Sequence, residues 1–177
     1  MDRGTILSGL AALLLVGCSA EAPASEAPAS EVDPAALELT GRVVDAADVL
    51  GAEVEADLTE RLQQLEADSG VQLVVVSTPS LGGKDVADYT LALGNRWGIG
   101  DADRKDGLIL LVAPNDQKAR IEVGIGLTEI VTNEEAQHIM DTILLPEFAR
   151  GQYEIGLRDG TEALASEVAP LQMEAAE

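Results

Sequence analysis

Two hydrophobic periods divide this chain into elements. Val54, Leu58, Leu62 and Leu65 recur three or four residues apart, which predicts a helix opening near Gly51 and Glu53 and stopping at Gly70. A second helical stripe, Val86, Tyr89, Leu93 and Trp97, has Asp85 as its cap and ends at Gly98-Ile99-Gly100. Thr132 and Glu135 have capping-box spacing before Ile139, Met140, Ile143 and Leu144, a third helix expected to stop near Pro146. The last stripe runs through Tyr153, Leu157, Leu164 and Val168, and its Gly156 and Gly160 are expected to let the helix approach a sheet closely.

Between these helices the pattern changes to strands. A short strand over 41–44 leads to Asp45. Residues 71–77, broken only by Gln72, and 108–112 are continuous apolar runs, as strands covered on both faces require. Lys118, Arg120 and Glu122 alternate with Ala119, Ile121 and Val123 after the turn Pro114-Asn115-Asp116, so this last strand forms an antiparallel hairpin with its predecessor. Strands interleaved with helices predict an α/β sandwich whose mixed sheet contains one antiparallel hairpin.

The N-terminus carries a different signal. Asp2 and Arg3 precede an apolar run over 6–16 that ends in Leu15-Val16-Gly17-Cys18, the form of a lipobox. That run is too short for a bilayer core of roughly 30 Å, which needs about 20 apolar residues. Residues 1–17 are therefore expected to be a removable signal peptide and Cys18 the acylated mature terminus. Cys18 is the single cysteine, so lipidation there excludes disulfide and thiolate chemistry. Residues 18–36, built from Ala, Ser, Pro and Glu, contain nothing that could form a core and read as an extended tether. Ser19 lacks the aspartate that favours inner-membrane retention in enterobacterial lipoproteins, so an outer-membrane or outer-surface position in the cell envelope is preferred. Residues 37–168, about 130, suit one domain with one core, and 169–177 form an acidic tail.

Charge narrows the partners. With 32 acidic and 11 basic residues the chain carries −21, and removal of the signal peptide takes away Asp2 and Arg3 together, leaving that charge unchanged. Nucleic acid is excluded as a partner, because binding it relies on Lys and Arg neutralising phosphates. The expected partners are the membrane, through lipid at Cys18, and other envelope or membrane proteins. Carboxylates are hard oxygen ligands, so a divalent cation, calcium first, is the expected cofactor. Asp45 and Asp48 after the first strand, and Asp101, Asp103 and Asp106 before the third, are the candidate ligands; a solvated loop is the competing reading, and an EF-hand is excluded because Asp106 and Val112 stand where Gly and Glu are needed. Arg120 could hold a phosphate or carboxylate bidentately, or pair with Glu122 on its own strand.

Familiar catalytic templates are absent. Gly82-Gly83-Lys84 lacks the longer loop and following Ser or Thr of a phosphate-binding motif, and there is no Gly-x-Ser-x-Gly elbow. His138, the only histidine, is read as a helix-surface residue and excludes multi-histidine zinc chemistry. Trp97 is read as part of a core stripe.

The order of several blocks resembles the TPM-domain proteins of bacterial envelopes and chloroplast thylakoids. These blocks are Val44-Asp45 with Val49-Leu50, Gly70-Val71-Gln72-Leu73-Val74-Val75-Val76, Trp97-Gly98-Ile99-Gly100, Asp106-Gly107-Leu108-Ile109-Leu110-Leu111, Arg120-Ile121-Glu122-Val123-Gly124-Ile125-Gly126-Leu127, and Pro146-Glu147-Phe148 before Gly151-Gln152-Tyr153. The resemblance implies three layers, an acidic pocket at one end of the sheet, and association with calcium or other divalent metals. Asp45 matches the family aspartate after the first strand, Asp106 the position before glycine, and Arg120 and Glu122 the hairpin residues. Thr128-Glu129 stands where the family often has Glu-Gly, so the acid has moved one position, and Asn133 stands where aspartate is frequent. Two functions follow as expectations: a lipid-anchored, calcium-binding module that assists assembly or maintenance of membrane protein complexes, or a metal-dependent acid phosphatase acting on phosphomonoesters.

Overall fold

The computed structural model describes residues 37–169 and Leu171. The expected signal peptide (1–17), Cys18, the tether (18–36) and most of the acidic tail lie outside the described residues. Three apolar runs pair in parallel as β1 (Val43–Asp45), β2 (Gln72–Ser77) and β3 (Gly107–Ala113), and β4 (Lys118–Val123) returns antiparallel to β3 as the hairpin pattern predicts. Spatial order follows chain order, β1-β2-β3-β4.

Alternation along the strands splits the core. Val43, Leu73, Val75, Leu108, Leu110 and Ile121 face one side, where α1 (Ala52–Ser69) packs through Leu58, Leu62 and Leu65. Val44, Val74, Val76, Ile109 and Leu111 face the other, against Tyr89 and Leu93 of α2 (Val86–Trp97) and the incoming Leu37. The sheet is thus the middle of three layers. Two consecutive crossovers that step the same way across the sheet but place their helices on opposite faces have opposite hands. One of them therefore departs from the usual right-handed rule.

The helix boundaries follow from local chemistry. Glu53 and Glu55 lie in the first turn of α1, where the helix dipole favours negative charge, and Gly70 closes it at φ 75° with its N–H on Glu66 O. Asp85 accepts from the amides of Ala87 and Asp88 at the start of α2, and Gly98 ends that helix at φ 64°. Thr132 and Glu135 form the predicted capping box of α3 (Asn133–Ile139).

Beyond α3 the helix does not stop at Pro146. A π turn over Met140–Leu144 carries the Leu145 N–H to Met140 O, and α4 (Leu145–Phe148) then accepts Pro146 in its first turn, where the missing donor costs little. The glycines of α5 (Tyr153–Val168) also depart from expectation. A Cβ at Gly156 would stand 2.6 Å from the Phe148 ring, and one at Gly160 would overlap the side chain of Leu144. Their small size serves helix-to-helix contact rather than helix-to-sheet contact. His138 is exposed on α3, as read. Trp97 is half-buried, packs against the α2-side core and donates from Nε1 to Leu37 O at 3.3 Å.

Candidate functional site

At the amino end of β2 and β3, Gln72 pairs with Gly107, and the loop 98–106 folds back over that end. Gln72, which interrupts its apolar run, accepts the Gly100 N–H at 2.7 Å. Four glycines let three backbone segments cross here. Side chains at Gly100 and Gly107 would collide with each other's backbone, and side chains at Gly124 and Gly126 would overlap the carbonyl oxygens of Lys105 and Arg104. The same approach is used for bonding: Gly124 N–H donates to Gly107 O at 2.8 Å and Gly126 N–H to Lys105 O at 3.0 Å.

The loop's acids hold its own backbone. Asp101 Oδ1 accepts from the amides of Asp103 and Arg104, both at 2.9 Å. Asp106, buried, accepts the Asp101 amide at 2.8 Å on Oδ1 and Arg104 Nε at 2.5 Å on Oδ2. Arg104 reaches further, to Gly70 O at 3.1 Å, and so ties the end of α1 to this loop. Asp103 is exposed. Beside the loop lies a cleft of about 430 Å³ between α2 and β4, bordered by Leu91, Ile99, Lys105, Glu122 and Ile125. Ile125 is 75% exposed and Leu91 50%, two of the three large apolar side chains open to solvent among the described residues.

Amide bonds from Arg104 and Asp103 hold the Asp101 carboxyl below the ordinary aspartate range. A carboxyl whose folded-state pKa is depressed stabilises the fold above its unfolded value and loses that contribution as pH falls through the folded value. The loop is therefore expected to loosen on acidification below about pH 4. The amide chemical shifts of Asp103 and Arg104, which donate to Asp101 Oδ1, should move much further on acidification in wild type than in Asp101→Asn. The Arg104 guanidinium, raised further by its hydrogen bond to Asp106, stays charged throughout.

Asp45 sits at the other end of the sheet. It registers with Ser77, and Ser77 with Val112, whereas Asp106 precedes Gly107 at the start of the same strand. Six residues of strand at about 3.3 Å each separate the two levels by roughly 20 Å. Asp45 Oδ1 accepts from Val49 N at 3.1 Å and from the Ser77 hydroxyl, and Oδ2 accepts from Leu50 N at 2.8 Å. It closes the β1–α1 loop, in which Asp48 adopts a left-handed φ of 53°. The sheet thus does not bring Asp45 or Asp48 together with Asp101, Asp103 and Asp106. Arg120 pairs with Glu122 through Nε at 3.0 Å, the ion-pair reading. Thr128 donates to Ile125 O at 3.0 Å, and Glu129 is exposed.

Calcium takes six to eight oxygen ligands. Among the described residues no three Asp, Glu, His or Cys side chains converge as a metal-holding group. Both oxygens of Asp106 already accept hydrogen bonds, and a guanidinium stands where a cation would. The donors present in this arrangement do not fit a resident calcium ion. Sequence reasoning missed Arg104 and Ser77, the side-chain partners of Asp106 and Asp45. Ser77, a polar residue closing an apolar strand, was a usable signal; Arg104, in a charged loop, gave none.

The four-stranded sheet and the glycine-crossed loop define an α/β domain of a known class. The TPM domain family model matches residues 43–167, and the chain belongs to that family. It is similar to the N-terminal domain of a protein from P. gingivalis, with 26% identity, TM-score 0.74, and coverage of 80% of this chain and 94% of that one. It also resembles the N-terminal domain of cg2496 from Corynebacterium glutamicum, with 16% identity, TM-score 0.59, and coverage of 75% and 82%. A third likeness is to BA42 from the psychrophilic bacterium Bizionia argentinensis, with 20% identity, TM-score 0.59, and coverage of 69% and 83%. No curated protein matches the chain. Among the described residues no helix is long and apolar enough to cross a membrane.

Proposed function

We propose that this chain is a lipid-anchored binding module of the cell envelope, held to a membrane through Cys18 and contacting other envelope proteins at the loop end of the sheet. The observation that carries this reading is Ile125, an apolar side chain 75% exposed on a turn whose backbone is clamped by Gly124 and Gly126. A rigid, apolar projection beside a cleft suits recognition of a partner with little ordering cost. Phosphatase chemistry is less well supported, because a metal-dependent mechanism needs carboxylates that hold an ion beside the phosphoryl group. Here the aspartates are divided between the two ends, and Asp45, Asp101 and Asp106 are engaged by backbone amides. The acidic surface also repels phosphate esters. Calcium binding at Asp101 and Asp106 would require Arg104 to leave Asp106.

The test uses full-length protein in its native membranes. A photo-crosslinking residue at Ile125 should trap one discrete envelope protein that a probe at Gln63 on α1 does not, and the product should disappear in competition with unlabelled wild type but not with Ile125→Asp. Cys18→Ala should move the protein from the membrane to the soluble fraction. Purified wild type should neither hydrolyse a generic phosphomonoester with calcium or magnesium nor give a saturable calcium heat. Turnover lost in Asp106→Asn would replace the module with the enzyme, and a calcium heat lost in that variant would restore the cation-binding expectation.

A further inference from the structure

The sheet ends in β1 on one side and β4 on the other. β1 is guarded by its length of only 3 residues, a common way of blunting an edge. β4 is 6 residues long, holds no proline, and pairs with β3 residue by residue from Lys118 to Val123 without a bulge. Its bonding phase follows from two neighbouring contacts. Gly124 N–H donates to Gly107 O, and on the other flank of β3 Val112 O accepts the Thr78 N–H. Bonded and non-bonded pairs alternate along an antiparallel ladder. With Val123 opposite Leu108 and Ala119 opposite Val112, the residues bonded to β3 are therefore Lys118, Arg120 and Glu122. The N–H and C=O groups of Ala119, Ile121 and Val123 point away from the sheet, and no backbone of another described segment bonds to them. Such a row is a template for one more strand.

The side chains of β4 name the strand that fits. Ala119, Ile121 and Val123 belong to the α1-side core, whereas Arg120 and Glu122 register with Leu111 and Ile109 and so stand on the α2 face. There Arg120 Nη2 lies 2.9 Å from the Glu122 carboxylate, and the Arg120 side chain is 42% exposed. One cation and one anion placed symmetrically about Ile121 make the strand its own complement. When a second β4 lies antiparallel with Ile121 against Ile121, Arg120 faces the partner's Glu122, Glu122 faces the partner's Arg120, and each Ala119 stands opposite a Val123.

In that register the outward groups of Ala119, Ile121 and Val123 all find partners, and opposite charges directly across a strand pair are stabilising. Centring the pair on Arg120 or on Glu122 sets like charges against each other and leaves part of the row unbonded. We propose that the chain forms a twofold dimer through β4, continuing the sheet across two copies with Ile121 at the axis. Backbone bonds supply most of the contact, and the two reciprocal ion pairs fix its register. The charge of −21 on each copy opposes association, an opposition screened beyond about 8 Å at physiological salt. The assignment does not depend on the module function proposed above.

Sedimentation of the full chain in density-matched detergent at about 0.15 M salt should show a reversible equilibrium between monomer and dimer. Hydrogen exchange reads the register: the amides of Ala119, Ile121 and Val123 should slow as concentration rises, while those of Arg120 and Glu122, already bonded to β3, should not change. Arg120→Glu and Glu122→Arg should each weaken dimerisation about tenfold or more, because each sets like charges across the axis. Mixing the two variants should restore a heterodimer, which a pair within one chain cannot do. Ala119→Pro removes an outward N–H without touching the β3 ladder, a change edge strands tolerate, and should give a monomer with the circular dichroism of wild type. A wild type that stays monomeric would overturn the proposal. So would charge variants that dimerise as wild type does, a mixture no tighter than its components, or exchange that slows away from β4 alone.

Discussion

Gly126→Ala is expected to lower stability by about 3 kcal/mol or more, a fall of about 10 °C in Tm for a domain of this size. The added Cβ would occupy the position of the Arg104 carbonyl oxygen, and that atom belongs to backbone, which cannot swing aside as a side chain can. Relief requires the 124–127 turn to lift. Lifting it breaks the Gly126 N–H bond to Lys105 O and unseats the loop that Asp106 and Arg104 hold. Gly41→Ala is the matched control, because a Cβ there meets nothing within 4 Å and should leave Tm almost unchanged. Thermal melts followed by circular dichroism decide the matter. A Gly126→Ala protein melting with wild type would mean that the crossing is far looser than described.

Asp45→Ala should cost about 2–4 kcal/mol, because three donors lose their acceptor together: the amides of Val49 and Leu50 and the Ser77 hydroxyl. The Ser77 oxygen in turn accepts the Ala47 amide at 2.9 Å, so the whole β1–α1 connection depends on this carboxylate. Asp45→Asn keeps one of the two acceptor oxygens and is expected to lose about half as much. The comparison distinguishes two roles. If Asp45 served only to ligate a metal, metal-free Asp45→Asn would be as stable as wild type or more so. If it serves the loop, metal-free protein already shows the loss. Chemical denaturation in the presence of a chelator is the measurement.

Periodicity carried most of the fold. The stripes of α1 and α2, the apolar runs of β2 and β3 and the alternation of β4 each describe a local burial pattern, and local patterns survive in sequence. The hand of the crossovers does not, because it depends on which face each helix selects, and residues such as Val74 and Val75 are apolar on both. Gly156 and Gly160 announced a close approach, but its partner is α4 and the π turn rather than the sheet expected from the pattern. Pro146 was read as a stop because the π register that accommodates it leaves no compositional mark. The aspartates were read by valence alone. Their chemistry was visible, but whether an acid meets an ion or its own backbone amides depends on loop conformation set by Arg104, Ser77 and the four glycines.

The hydrogen bond from Trp97 to Leu37 O bears on how the domain would carry load. A pull applied through the residues before Leu37 reaches that bond and the burial of Leu37 among Val44, Val76 and Leu93 before it reaches β1. The indole thus works as a strain relief: tension is diverted into α2 and the far layer, and the three-residue edge strand β1 is spared from being peeled away from β2.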